Sequence, residues 1–269
     1  MKNQMTEKVL NHLECPRKAP TLRYLNRLIQ TYIRRVPWES VSRIVKRRAT
    51  PETKDCPRLP EEFWNDALER GFGGTCYESS LAFYSLLISL GYEGYLTVND
   101  MGETRGCHAA ITILLGGKKY LVDVTIPVHA AVRINPRRVT RRRTLLYNYA
   151  LHPVRKNVYE VTRSPHPNRV AFTLIDVPVS LPEYHVILQN DYLETGHFNK
   201  SVVMNKVIKN RTTRFFSDNE PYKLERFNGQ GKRETPLRIK SLPHVLAKTF
   251  NMPEGEIAEA LSIIQQVNP

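Results

Sequence analysis

The stretch His108-Ala109-Ala110-Ile111-Thr112-Ile113-Leu114-Leu115-Gly116-Gly117-Lys118-Lys119-Tyr120-Leu121-Val122-Asp123-Val124 decides how this chain is read. Two apolar runs flank a Gly-Gly pair, a strong hairpin signal because both central residues of the tight turn need positive φ. If Gly116 and Gly117 form a two-residue turn, Leu115 pairs with Lys118. Counting outward then sets Ala110 opposite Asp123 and His108 opposite Thr125. Side chains alternate faces along a strand, so His108, Ala110 and Asp123 share one face. The diagonal His108–Asp123 relation puts their Cα atoms ~7–8 Å apart, within hydrogen-bonding reach of an imidazole and a carboxylate. A turn of odd length would place the pair on opposite faces.

The pattern changes on either side of this hairpin. Residues 1–92 read as helical: Leu22, Leu25, Leu28, Ile29 and Ile33 recur near helical spacing until Pro37, and Pro60-Glu61-Glu62 opens a second run. From about Tyr95 the period falls to two. Val158–Val161, Val170–Leu174 and His185–Leu188 read as further strands, so residues 93–195 suggest a barrel or a sandwich. Residues 196–269 are mixed: strand-like pieces near Val202 and Phe215 precede a helical tail that Pro253 divides in two. The apolar face of that tail is Leu246, Phe250, Ile257, Ala260, Leu261 and Ile264. The expected fold class is α+β, in three segments: helical (1–92), β-rich (93–195) and mixed (196–269).

Upstream, Arg70-Gly71-Phe72-Gly73-Gly74-Thr75-Cys76-Tyr77-Glu78-Ser79-Ser80 crowds three glycines before a thiol and an apolar helical run that Gly91 closes. At a helix N-terminus, free N–H groups and the macrodipole favour a thiolate, and a neighbouring imidazolium favours it further. A carboxylate on the far ring nitrogen fixes the tautomer and stabilises the charged ring. Cys76, His108 and Asp123 therefore make a candidate nucleophile, base and orienting group for acyl transfer. Taken singly, each has a plainer reading: a small core thiol, a satisfied strand histidine, an aspartate capping a turn. Jointly those readings fit less well, because an unpaired carboxylate inside Tyr-Leu-Val-Asp-Val would be costly to bury. Cys107, next to His108 on a strand, is expected to face the other way into the core. Glu78 is expected to anchor the helix, and His129 to lie exposed in a loop.

The chain has 269 residues, 41% hydrophobic and 25% charged, with a net charge of +14. Those proportions are ordinary for a globular protein. Arg133, Arg137, Arg138, Arg141, Arg142 and Arg143 crowd one segment, read as an exposed excursion. Such a face keeps a protein soluble, or meets a polyanion such as nucleic acid or a phosphate-rich cofactor. The start Met1–Glu7 carries no apolar stretch of the secretory kind, and the longest apolar run is too short to span a bilayer. Four cysteines without an export signal point to reduced thiols in a cytoplasmic protein. None forms a CxxC pair, so no metal site is expected.

The chain resembles the arylamine N-acetyltransferases. Val36-Pro37-Trp38-Glu39-Ser40, Gly73-Gly74-Thr75-Cys76-Tyr77-Glu78, then His108 and Tyr120-Leu121-Val122-Asp123-Val124 look like that family's elements in order. The resemblance implies an N-terminal helical bundle (1–92) carrying Cys76, a central antiparallel β-barrel (93–195) carrying His108 and Asp123, and a C-terminal α/β lid (196–269), with the three residues as a triad in a cysteine-protease-like arrangement. It also implies a ping-pong reaction in which Cys76 takes an acetyl group from acetyl-CoA, the co-substrate, and passes it to an arylamine or arylhydrazine. Gly73, Gly74, Thr125 and Ile126 are the coenzyme-contacting positions it implies. The sequence departs where the family has paired glycines around a phenylalanine: here Thr125-Ile126-Pro127 follows Val124. That exchange removes backbone freedom and an amide donor. Phe72 and Thr75 also stand where the family has an arginine and an aromatic.

Two further readings stay beside this one. An amide synthase, or another acyltransferase with a different donor or acceptor, would use the same cysteine chemistry. A non-enzymatic nucleic-acid-binding protein would use the charge, but the second tail helix, Glu254 to Gln266, carries three glutamates and no Lys or Arg. The expected partners are a coenzyme A thioester and a small-molecule amine, with no membrane and no nucleic acid; oligomeric state is not legible.

Overall fold

Gly116 and Gly117 take φ values of 56° and 66°, the left-handed pair that a tight hairpin turn requires. The strands they join pair in the counted register, from Leu115 with Lys118 to Ile111 with Val122. The chain is described here from a computed structural model covering residues 1–125, 128–193 and 196–267.

In chain order the first elements are α1 (Asn3–His12), α2 (Leu22–Arg35), β1 (Trp38–Glu39), α3 (Val41–Ala49), α4 (Pro60–Glu69) and α5 (Cys76–Ser89). Strands follow: β2 (Glu93–Met101), β3 (Thr104–Leu115), β4 (Lys118–Val122), β5 (Val132–Ile134), β6 (Thr140–Arg143), β7 (Asn148–Arg155), β8 (Val158–Ser164) and β9 (Val170–Ile175). Then come α6 (Leu181–Asn190), β10 (Val203–Ile208), β11 (Arg211–Phe216), β12 (Lys223–Asn228), β13 (Gly231–Pro236), α7 (Leu242–Phe250) and α8 (Glu254–Val267).

Strands β2 to β9 form one antiparallel sheet in the order β5-β4-β3-β2-β9-β8-β7-β6. Its end strands β5 and β6 lie beside each other, so the sheet is nearly closed into a barrel. The second sheet runs β1-β10-β11-β12-β13. This is the α+β arrangement expected: helices first, a barrel-like sheet, then a mixed segment of strands and helices. The β12–β13 hairpin has no counterpart in the sequence reading.

Two cores hold the elements. In the larger, Leu25, Leu28 and Ile29 of α2, Trp64 of α4 and Phe83, Leu86 and Leu87 of α5 pack with Ile111 and Ile113 of β3. In the smaller, Ile44 of α3, Met204 and Phe215 meet Leu246, Phe250, Ile257 and Ala260 of the tail helices. The six apolar tail positions singled out by spacing are all buried. The crowded arginines, Arg133, Arg137, Arg138 and Arg141 to Arg143, are all exposed, but the segment is no excursion: Arg133 lies on β5 and Arg141 to Arg143 on β6, the two end strands of the sheet.

One reading is overturned. His185–Leu188 is not a strand but the middle of helix α6. Ser180 caps that helix by accepting from the Glu183 amide at 3.3 Å, and a proline sits in its first turn. Tyr184 and Leu188, four residues apart, bury the inner face. A four-residue apolar run cannot be told from a helix segment by period alone.

Candidate active site

Cys76 is the first residue of α5, and no side chain caps that helix start. What delivers it there is a buried polar scaffold. Gly73 approaches Pro37 so closely that a Cβ would lie 1.7 Å from the Pro37 carbonyl oxygen. The Gly73 amide donates to Glu39 Oε1 at 3.2 Å, and the Gly73 carbonyl accepts from Arg58 Nη2 at 2.6 Å. A Cβ on Gly74 would meet Glu78 Oε2 at 2.8 Å. Only glycine fits at Gly73, where the clash is with backbone; at Gly74 a side chain would have to push aside the buried Glu78 carboxylate.

Glu78 is fully buried and anchors the turn, as its position suggested. Its carboxylate accepts from Arg58 Nη2 at 2.7 Å, from the Arg58 amide at 2.9 Å and from the Tyr192 hydroxyl at 2.5 Å. Burial alone would push its carboxyl up, but the Arg58 guanidinium and these hydrogen bonds hold it below the ordinary value. Burial pushes Glu39 up, against the pull of Arg58 and the Ser42 hydrogen bonds.

His108 and Asp123 meet as the hairpin count requires. His108 Nε2 lies 2.8 Å from Asp123 Oδ2, with both side chains buried. That contact occupies Nε2, which leaves Nδ1 to exchange a proton with a reactant. Phe172 packs on the imidazole with centroids 4.6 Å apart. The other carboxylate oxygen, Oδ1, accepts from the Thr125 amide and from the Thr125 hydroxyl, each at 2.8 Å. The threonine that departs from the family pattern thus supplies a hydroxyl donor to the aspartate. Thr125→Val removes that donor and keeps the amide. It is expected to lower the His108-dependent rate about fivefold, the worth of one hydrogen bond of about 1 kcal/mol. Thr125→Ser should restore it, and equal rates in all three proteins would show that the hydroxyl does not position Asp123.

Cys76, His108 and Thr125 line one cavity of about 180 Å³. The resting thiol donates to the Cys107 carbonyl at 3.6 Å. Burial pushes the Cys76 thiol up, the Asp191 carboxylate adds to that rise, and Arg43 opposes it. This is opposite to the depression expected from a helix N-terminus. Forming a thiolate there calls for a proton acceptor, and His108 is the imidazole on the wall of the same cavity.

Further cavity walls come from distant segments. Trp38 and Phe198 meet edge to face with centroids 5.0 Å apart, and Asn205 pairs with Trp38 across β1 and β10. Trp38 Nε1 and Asn205 Oδ1 have no hydrogen-bond partner among the described residues. Arg163 of β8 also lines this cavity and, in addition, a neighbouring cleft of about 700 Å³ carrying His166, Arg214 and Lys232.

Of the residues singled out by sequence, the fold brings together Cys76, His108, Asp123 and Thr125. Gly73 and Gly74 pack beneath the turn and are not on the cavity wall. Ile126 and Pro127 lie outside the described residues. Cys107 is not core: it is half-buried and lines the cavity beside His108. Gly106 at φ 61° and a register shift between Asn99 and Met101 break the alternation that would have turned it away. His129 is not exposed either. It is buried with neither ring nitrogen bonded among the described residues, and burial followed by Arg34 lowers its pKa to about 4.

All four cysteines are free thiols. Among the described residues no group of three or more His, Cys, Asp or Glu could hold a metal ion. No helix among them is long and apolar enough to cross a membrane.

A family model described as N-acetyltransferase matches residues 21–253. Among solved structures the chain is similar to the arylamine N-acetyltransferase of Mycobacterium marinum, at TM-score 0.80 and 17% identity over 97% of this chain and 98% of that one. The Mycobacterium marinum enzyme in complex with CoA is similar at TM-score 0.80 and 16% identity, again over 97% and 98%. An arylamine N-acetyltransferase from Bacillus cereus, described as having a unique Cys-His-Glu catalytic triad, is similar at TM-score 0.73 and 15% identity over 94% and 99%. No curated protein matches the sequence.

Proposed function

Since the chain belongs to the arylamine N-acetyltransferase family and is an N-acetyltransferase, we propose that it transfers an acetyl group from acetyl-CoA to an arylamine or arylhydrazine through an acyl-enzyme on Cys76. The observation that carries this reading is the shared cavity: Cys76 and His108 face it together, and Asp123 holds the far ring nitrogen at 2.8 Å.

In the first half-reaction the thiol proton moves to His108 as Sγ attacks the thioester carbonyl. The carbon–sulfur bond to coenzyme A breaks, and the leaving thiolate takes the proton back from the imidazolium. In the second half-reaction the amine nitrogen attacks the Cys76 thioester and gives its proton to His108. The Cys76 thiolate leaves and is reprotonated, so the enzyme returns to its starting state. Asp123, fixed by Thr125, stabilises the imidazolium in both halves.

Coenzyme A has room beside this chemistry. The cleft of about 700 Å³ adjoins the cavity through Arg163, and its basic side chains suit phosphate groups. The CoA complex of the Mycobacterium marinum enzyme, which shares this fold, supports such binding.

Incubation with acetyl-CoA followed by intact-mass and peptide analysis tests the reading. One acetyl group is expected on Cys76, absent from Cys76→Ala and discharged by an added arylamine. No adduct with acetyl-CoA or any other acyl thioester would sink the proposal. An adduct that no amine discharges would leave the first half-reaction and refute the second.

A further inference from the structure

Arg163 stands out among the arginines around the site by having no acidic partner. The two fully buried guanidiniums are both paired, Arg43 with Asp191 and Arg58 with Glu78 at 2.7 Å and Asp66 at 3.1 Å. Arg214, in the adjoining cleft, is paired with Glu225 at 2.6 Å. Arg163 donates through Nε to the Asn168 carbonyl at 3.3 Å, and none of the ion pairs among the described residues includes it. It is half-buried against Tyr147 and Tyr149, and burial lowers its pKa with no carboxylate to oppose the fall. A half-buried guanidinium without a counter-ion keeps donors free for an anion. A ligand anion in the cavity would engage them.

We propose that Arg163 is a specificity-determining residue that binds a carboxylate carried by the reactant seated beside Cys76. The inference rests on reading Cys76 as the acyl acceptor. Guanidinium matches carboxylate geometry with two parallel hydrogen bonds, and a low-dielectric site strengthens them. The cavity offers the rest of a receptor. Its volume of about 180 Å³ exceeds the ~150 Å³ that holds a benzene ring, and Trp38 and Phe198 supply aromatic walls. The Trp38 indole N–H is a further donor, with no acceptor among the described residues. Arg163 lines both hollows; in the cleft, His166, Arg214 and Lys232 stand with it to meet phosphates, whereas in the cavity with Cys76 it is the one guanidinium on the wall among the described residues, so an anion seated there falls to Arg163.

The carboxylate has two possible carriers, the amine acceptor and the acyl group, and both are open to test. Binding is measured first, by ligand-observed NMR with benzoate and its neutral isostere benzamide. The wild type is expected to bind benzoate at least about tenfold more tightly, the worth of one charge-assisted pair. Arg163→Met should abolish the preference while leaving benzamide binding unchanged, and Arg163→Lys should retain part of it. Equal binding by the wild type, or a preference that survives Arg163→Met, overturns the proposal.

Turnover then identifies the carrier. An acceptor carboxylate gives a tenfold difference in kcat/KM between 4-aminobenzoate and 4-aminobenzamide with acetyl-CoA as donor. A donor carboxylate instead makes malonyl-CoA load Cys76 faster than acetyl-CoA. Each difference should vanish in Arg163→Met, and the absence of both overturns the assignment to a reactant. Failure of every thioester to acylate Cys76 would refute acyl transfer alone, since benzoate binding decides Arg163 independently.

Discussion

His108→Gln is expected to slow acetylation of Cys76 by about 10²- to 10⁴-fold, the range for losing a positioned general base. Glutamine can still hydrogen-bond Asp123 but offers no nitrogen of suitable basicity. The reason for a large effect lies in the thiol itself. Burial and Asp191 push Cys76 up, so without a proton acceptor the neutral thiol, donating to the Cys107 carbonyl, dominates. A raised pKa places the thiolate on the alkaline side. In the variant, alkylation of Cys76 at neutral pH should therefore fall sharply and recover only as pH rises well above that of an ordinary thiol. Wild-type protein, with His108 in the same cavity to take the proton as the thiol reacts, should be alkylated faster than the variant at neutral pH. Iodoacetamide labelling of the Cys76 peptide across pH reads both curves. Superimposable curves would show that His108 does not serve as the base.

The second large effect is on stability. Glu78→Gln is expected to destabilise the fold by about 3–5 kcal/mol, because it strips the buried Arg58 guanidinium of its main counter-charge. Arg58 is 1% exposed and Glu78 0%, so water cannot replace the lost carboxylate. Urea unfolding with an unchanged slope would report this as a lower midpoint. The sign of the pH dependence follows from the shift. The Glu78 carboxyl lies below its ordinary value in the folded state. Its contribution is therefore complete above the unfolded-state carboxyl pKa and is lost as pH falls through the folded one. The gap between wild type and variant should narrow on acidification in that window. A difference under about 1 kcal/mol at neutral pH would mean that the pair is compensated elsewhere. The same variant should loosen the Gly73–Gly74 turn and lower Cys76 reactivity, since Arg58 also holds the Gly73 carbonyl at 2.6 Å.

These two predictions mark how far the sequence reaches. The His108–Asp123 partnership was legible because strand alternation has period two and a Gly-Gly turn fixes the count. Parity alone put imidazole and carboxylate on one face. Cys76 was legible because glycines followed by a long apolar run announce a helix start. The tail helices were legible from spacing and Pro253. The helix α6 was missed because its signals, Ser180, Pro182 and Glu183, precede the apolar residues that drew attention. Cys107 was misplaced because alternation assumes an unbroken strand, whereas Gly106 and a bulge interrupt β3 at that end.

Local rules fix what neighbours in sequence do to one another. By itself the sequence determined the helix that starts at Cys76, the hairpin that aligns His108 with Asp123, and the order of helices, barrel strands and mixed tail. It could not place Trp38 beside Asn205, or Arg163 on the cavity that Cys76 lines, because those residues sit on elements far apart in the chain that strand pairing and packing bring together. Nor could it set the direction of the thiol's pKa: the helix N-terminus is a local feature, while the burial and the Asp191 carboxylate that outweigh it arise from packing. The hairpin of residues 108–124 fixed how His108 and Asp123 face each other; only the tertiary structure decided what surrounds them, because desolvation and charge act through space and not along the chain.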